Sequence, residues 1–254
     1  MNVGNRSKAA VLRAPFERAH YRALVGMALR YPTPIANLRR FLTAGGDYPY
    51  VCRVRTPVGE VSPTLYTSHD MSTVNEIFCR ADYRAGSDLR VAVDIGANIG
   101  IASLYFLTRN TESRVYAFEP DPKNVARLGQ TLSAYEGRYV VEQVALGVTD
   151  GEARFGTEPT GRYGHISESY GEAITVRVRE INAALEEVLA REERIDVLKI
   201  DTEGSERALV GALTPQILDR IRVVYYETDD PAPLHTDRFA HHFESQTNRL
   251  SQIV

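Results

Sequence analysis

Val91-Ala-Val-Asp94-Ile-Gly96-Ala97-Asn98-Ile-Gly100 decides the fold. An unbroken apolar run ends in an acid, Asp94. A glycine turn follows and opens a predicted helix over 98–109. Strands apolar on both faces belong to buried, mostly parallel sheets. Gly96 tolerates positive φ and lets the backbone pass close to a ligand. Gly100 lets the start of the helix pack closely. A helix N-terminus also offers unbonded N–H groups and partial positive charge.

Further along the chain the same rhythm repeats. Arg114–Phe118, Tyr139–Gln143, Asp196–Ile200 and Arg222–Tyr226 read as short buried strands. Helical stretches over 122–135, 180–193 and 203–213 separate most of them. Alternating strands and helices predict an α/β fold with helices on both faces of the sheet. Ligands in such folds sit beyond the carboxyl ends of the strands, where strand order reverses. The residues to examine are therefore those just after each strand.

A dinucleotide site asks for G-x-G-x-x-G. Counted from Gly96, this chain has Asn98 and Ile101 at the second and third glycine positions. An acid before the turn suits a cationic ligand instead. S-adenosylmethionine carries a sulfonium and an ammonium, so Asp94 is placed to favour it directly or through water. The competing structural role is a buried Asp that bonds the turn's own N–H groups. Glu119, 25 residues after Asp94, ends the second strand and suits two ribose hydroxyls. Asp121 is the better cap for the next helix, which leaves Glu119 for the ribose. An adenine is expected beside the backbone of Ala145. Gly147 reads as the turn into a following hairpin.

Asp201 and Glu203 follow the fourth strand and Glu227 follows the fifth, so three acids converge on one rim. Glu203 also serves as a dipole-offsetting acid at a helix start. Glu206 and Arg207 fit a solvated first turn. Lys199 lies within the fourth strand, and a buried lysine calls for an acid or the sheet's rim. His165, in the loop from Gly161 to Ser167, is the only histidine of the core region, and a lone loop histidine is more often structural than catalytic. His235, His241 and His242 read as surface residues of a tail. Transfer of the donor's methyl group needs alignment of the nucleophile, and a nucleophile that carries a proton must also lose it in part. Asp201, Glu227, His165 and Glu203 are the candidates for that task. Mg²⁺ held by strand-end carboxylates is an alternative, but no tight pair of Asp or Asn follows either strand, and no metal is expected.

The chain has 254 residues, 43% hydrophobic and 25% charged, which excludes disorder as its main state. No apolar run approaches the roughly 20 residues that span a bilayer. The first residues lack the charge–apolar order of a signal peptide, and two cysteines, Cys52 and Cys79, form neither a disulfide framework nor a zinc site. A cytoplasmic protein is the default expectation. Residues 1–45 hold eight basic residues against one acid, Glu17. That local charge of +7 leaves −10 for the remainder of a chain at −3. The acidic remainder argues against nucleic acid as partner. Residues 6–30 have helical apolar spacing, Pro32 and Pro34 end that segment, and 35–42 read as a further short helix. An amphipathic arm packed on the core or on a twin subunit is the plain reading; a helix on a membrane surface is the sharper one. Val51–Arg55 and Glu60–Leu65 read as a hairpin, and Asp70 or Ser72 as the cap of a helix through Cys79.

Four strings together resemble the FkbM family of S-adenosylmethionine-dependent methyltransferases: Asp94-Ile-Gly-Ala-Asn-Ile-Gly100, Phe118-Glu-Pro120-Asp121, Val144-Ala-Leu-Gly147 and Leu198-Lys-Ile-Asp201-Thr-Glu203-Gly-Ser-Glu206. The resemblance covers about residues 70–228. It implies a Rossmann-like class I methyltransferase sheet and O-methylation of a sugar or a natural-product acceptor such as a polyketide. Ile181-Asn182 stands where the family commonly has Leu-Asp. The Gly-aromatic turn that usually introduces the last strand pair is missing, so the sheet is expected to lack a strand or to end irregularly.

The combined expectation is a helical arm over 1–46, a hairpin and lead-in helix over 47–90, a Rossmann-like core over 91–230 and a tail over 231–254. Gly96, Ala97, Asn98, Gly100, Asp94, Glu119, Pro120, Ala145 and Asp201 form the expected S-adenosylmethionine site. The partner is a small-molecule or glycan hydroxyl acceptor, and the arm offers a surface for a homodimer. Two other readings are a non-catalytic adenosyl-binding subunit and a dinucleotide-dependent oxidoreductase.

Overall fold

The computed structural model describes residues 18–157, 165–166, 172–244 and 246–253. The chain divides into two compact units between Arg84 and Ala85.

In the first unit, α1 (Arg18–Arg30) and α2 (Pro34–Thr43) are followed by four short strands, β1 (Tyr50–Val51), β2 (Val54–Thr56), β3 (Gly59–Val61) and β4 (Thr64–Leu65). The expected hairpin is there in part. β2 pairs with β3, while β1 pairs with β4 as a separate ladder. Helix α3 (Ser68–Val74) runs on as a π-helical segment to Arg80. Its cap is Thr67, not Asp70 or Ser72. The Thr67 side chain accepts from the Asp70 amide, and Asp70 Oδ2 accepts from the Thr67 amide at 3.0 Å. This reciprocal capping box satisfies two otherwise unpaired donors. Met27, Tyr31, Cys52, Met71 and Cys79 form the interior, and both cysteines are free thiols.

The second unit is built on β5 (Val91–Ile95), α4 (Ile101–Leu107), β6 (Arg114–Phe118), α5 (Pro122–Leu132), β7 (Tyr139–Glu142), β8 (Ala145–Gly147), β9 (Gly151–Thr157), β10 (His165–Ile166), β11 (Glu172–Glu180), α6 (Ile181–Leu189), β12 (Ile195–Ile200), α7 (Glu206–Ala212), α8 (Pro215–Leu218), β13 (Ile221–Glu227), β14 (Phe239–Glu244) and β15 (Thr247–Gln252). Seven strands form one sheet in the order β14-β15-β13-β12-β5-β6-β7. β5, β6, β7, β12 and β13 run parallel, and β15 runs against β13. Strand order reverses between β5 and β12.

Side chains alternate across the sheet. Val91, Val93, Ile95, Leu198, Ile200 and Val224 pack with Leu185, Val188, Leu209 and Ile217 from α6, α7 and α8. Asp94 points the other way and meets Ser103 of α4. Helices therefore cover both faces, as expected. Asp121 caps α5, accepting from the Lys123 amide at 2.8 Å.

Two expectations are corrected. Residues 231–254 are not a tail, because β14 and β15 form a hairpin that completes the sheet. The region after β7 is more than a loop: β8, β9, β10 and β11 make a second, four-stranded sheet in the order β10-β9-β11-β8. Asn182 also has a physical reason for its identity. Its Nδ2 donates to the Ala212 carbonyl at 3.0 Å and its Oδ1 accepts from the Thr214 amide at 2.9 Å. A carboxylate lacks the donor for the first bond.

Candidate active site

The carboxyl ends of β5 and β12 meet at the reversal point, and there the chain places a buried charge group. Lys199 and Asp94 are in register on neighbouring strands. Lys199 Nζ lies 3.0 Å from Asp94 Oδ1 and 3.5 Å from Asp201 Oδ2. It also donates to the Gly96 carbonyl at 2.8 Å. Asp94 Oδ2 accepts from the Ser103 hydroxyl at 2.7 Å. Burial works against the Lys199 charge, but Asp94, Asp201 and Glu227 outweigh it and hold the ammonium's pKa above its ordinary value.

Asp94 thus differs from the expectation that it faces a cationic ligand. It is shut off from solvent, and both its oxygens point at protein groups. The carboxylates nearer solvent stand at the rim instead. Asp94, Asp201 and Glu227 all act on this one ammonium. Asp201 and Glu227 are the members of that group nearest solvent, both half-buried.

The glycine turn is a run of left-handed residues, with Gly96 at φ 73, Asn98 at φ 49 and Gly100 at φ 84. A Cβ on Gly96 would stand 1.8 Å from the Asp201 carbonyl oxygen. The close approach that this glycine permits is therefore to the end of β12. Gly100 packs against Leu128 of α5, where a Cβ would come within 2.9 Å of Cγ. The Gly96 and Ala97 amides both donate to the Phe118 carbonyl, at 2.9 and 3.1 Å. These bonds lock the turn to the end of β6.

Glu119 stands beside that turn, almost fully buried. It is not left free, as had been expected. Oε2 accepts from the Asn98 amide at 2.8 Å, and Oε1 accepts from the Asp121 amide at 3.0 Å and from Asn124 Nδ2 at 3.4 Å. Burial pushes its carboxyl up to about 7, against these three donors. Pro120 is buried next to it, and Ala145, also buried, starts β8 in register with Val178.

After β12 the backbone turns sharply. Glu203 is exposed and adopts φ 58, a left-handed conformation that costs a non-glycine residue about 1 kcal/mol. Glu206 is what holds this turn, a role the sequence reading missed. It is buried rather than solvated. Its carboxylate accepts from the Thr202 amide at 2.7 Å and from the Gly204 amide at 2.9 Å. The visible signal was its place in the Asp201-x-Glu203-Gly-x-Glu206 string. Arg207 donates to the Ala232 carbonyl at 2.7 Å.

His165 lies in β10, paired with Gly156 of β9, and its side chain falls outside the described residues, as do Gly161–Gly164 and Ser167. The tail histidines are not uniformly exposed. His235 Nε2 is 2.7 Å from the Val210 carbonyl, and His241 Nε2 is 2.6 Å from Asn248 Oδ1 across the β14–β15 hairpin. Among the described residues no group of three His, Cys, Asp or Glu is arranged to hold a metal. No helix among them is long and apolar enough to cross a membrane.

A doubly wound sheet with one reversed strand near its edge, and a glycine turn at its reversal point, defines a Rossmann-like methyltransferase fold. The model of the methyltransferase FkbM domain matches residues 94–249, and the chain belongs to that family. Among curated proteins, the AMB antimetabolite synthetase AmbE of Pseudomonas aeruginosa is 27% identical over 62% of this chain and 9% of its own length. Methyltransferase sdnD of Sordaria araneosa is 26% identical over 55% of this chain, and 2-O-methyltransferase NoeI of Sinorhizobium fredii is 24% identical over 55%. The chain spans 66% and 63% of those two relatives. A putative rRNA-methylase structure from Clostridium thermocellum aligns at a TM-score of 0.41 and 6% identity, over 72% of this chain and 94% of that one.

Proposed function

We propose that this chain transfers a methyl group from S-adenosylmethionine to a hydroxyl of a sugar or natural-product acceptor. The observation that carries this reading is the charge at the rim. Asp94 is closed in against Lys199, while the half-buried carboxylates of Asp201 and Glu227 stand at the strand ends nearer solvent. Such a rim suits a cationic donor and repels the pyrophosphate of a dinucleotide. The likeness to 2-O-methyltransferase NoeI supports an oxygen acceptor, and that to the antimetabolite synthetase AmbE supports a natural-product setting.

The residues present fit the cofactor. A carboxylate has about four lone-pair sites, and Glu119 uses three, so one remains for a ribose hydroxyl. The Gly96–Gly100 turn would border the donor, with Ala97, Asn98 and Pro120, and Ala145 would serve the adenine. Asp201, held by Lys199, would take the ammonium end in place of the buried Asp94. When bound, the cofactor supplies a methyl group activated by sulfonium. The chain's own task is to hold the acceptor hydroxyl in line and to receive its proton. Positioning of this kind supplies much of the rate, and a placed base adds about 10²–10⁴-fold. Glu227 sits on a strand end, where geometry is held well. His165 brings an imidazole, the side-chain type that titrates near neutrality.

Incubation of the full chain with isotope-labelled S-adenosylmethionine and cell extract, read by mass spectrometry, tests the reading. Labelled methyl on a hydroxyl compound is the expected result. Unchanged cofactor with every extract fraction, or turnover of a nicotinamide cofactor instead, contradicts it.

A further inference from the structure

The mechanism leaves one large feature unused, an apolar helix face in the first unit. Tyr21, Leu24, Val25 and Leu29 of α1 recur at helical spacing, and each is at least half exposed. The same helix carries Met27, which is buried. On α2, Ile35 is 83% exposed and Leu42, two turns on, is also turned out. Single exposed apolar side chains are ordinary, but a stripe along one helix is not.

The charge around the stripe selects its occupant. Residues 18–46 contain five arginines and no acid; the first carboxylate after Glu17 is Asp47. Arg39 is exposed on α2. A symmetric dimer through this face would oppose the patch to itself and bring like charges together. Residues 1–17 also carry net positive charge, with Arg6, Lys8 and Arg13 against Glu17. An anionic lipid surface complements both halves of the pattern. It accepts apolar side chains at the acyl boundary and pairs arginines with headgroups. We propose that α1 and α2 dock this protein on anionic membrane surfaces, as a peripheral and salt-sensitive contact.

Sedimentation of the full chain with vesicles tests this. Binding is expected to vesicles of phosphatidylglycerol and phosphatidylcholine, and not to phosphatidylcholine alone. It should weaken as salt rises. Leu24→Glu with Leu29→Glu should weaken binding at least about tenfold, and Arg39→Gln about fivefold. The substituted positions are exposed, so circular dichroism and the melting midpoint should stay unchanged. Should the double variant fail to fold, Arg39→Gln and the salt series still decide. The proposal is overturned if neither vesicle is bound, or if both are bound equally whatever the substitution. A dimer seen by light scattering that the double variant abolishes, without vesicle binding, would assign the face to a second copy.

Discussion

Lys199 Nζ and Asp94 Oδ1 meet at 3.0 Å, with 3% and 0% of their side chains exposed. The pair joins two neighbouring parallel strands where strand order reverses. Breaking a buried pair by removing one partner strands the other charge, at a cost of about 3–5 kcal/mol. Lys199→Met should lower unfolding stability by that amount in urea. Adding Asp94→Asn should recover part of the loss, because no unpaired carboxylate then remains. Losses in the Lys199→Met and Asp94→Asn single variants that simply add in the double variant would show that the two residues act independently.

Glu119 gives the fold a pH signature. Its carboxyl is raised from 4.5 to about 7 by burial, against bonds from the Asp121 and Asn98 amides. Between those values the folded chain holds a proton that the unfolded chain has released. Stability should therefore fall as pH rises through that window, by about 3 kcal/mol at most. Glu119→Gln should flatten the slope in denaturation curves taken from pH 4.5 to 7.5. Ribose hydroxyls donate better to the ionised form, so adenosyl-ligand affinity should rise through pH 7 and level off about one pH unit above it. Glu119→Ala should weaken that affinity by about 1–3 kcal/mol.

Two glycines should respond in opposite ways to the same substitution. Gly96→Ala drives a methyl group into the Asp201 carbonyl at a left-handed position, and should lower both stability and cofactor binding. Gly129 lies in α5 with nothing within 4 Å of its added Cβ. Gly129→Ala should stabilise by about 0.4–1 kcal/mol. Thermal melts of the two variants compare them directly.

At the rim, Asp201→Asn and Glu227→Gln should each reduce turnover at least about 10²-fold. Glu206 acts one step back, as a positioning residue. Glu206→Ala frees the Thr202 and Gly204 amides and should lower kcat, while Glu206→Gln, which keeps one acceptor oxygen, restores part of it. A base at His165 would show as an ascending limb near pH 6.5 that vanishes in His165→Ala. Full activity after EDTA would dispose of Mg²⁺.

The central sheet was legible because its strands are continuous apolar runs with acids and glycines at their ends. The Asp121 cap and the packing role of Gly100 followed from local rules alone. Partners distant in sequence were harder to see. Asp94 read as a ligand residue because Lys199, 105 positions on, offers no local sign that the two pair. Glu206 read as solvated because a Glu in a first helical turn usually is, yet here it folds back onto the Thr202 and Gly204 amides. β14 and β15 were missed because Phe239-Ala-His-His-Phe-Glu244 exposes half its residues. A strand pair near the sheet's edge lacks the apolar run that marked the centre.

Calorimetric titration of the full chain with S-adenosylmethionine and, separately, with NAD⁺ tests the account most directly. A rim lined by carboxylates predicts binding of the sulfonium compound at about micromolar strength and no heat with the dinucleotide. Binding of NAD⁺, or no binding of S-adenosylmethionine by a folded chain, would contradict it.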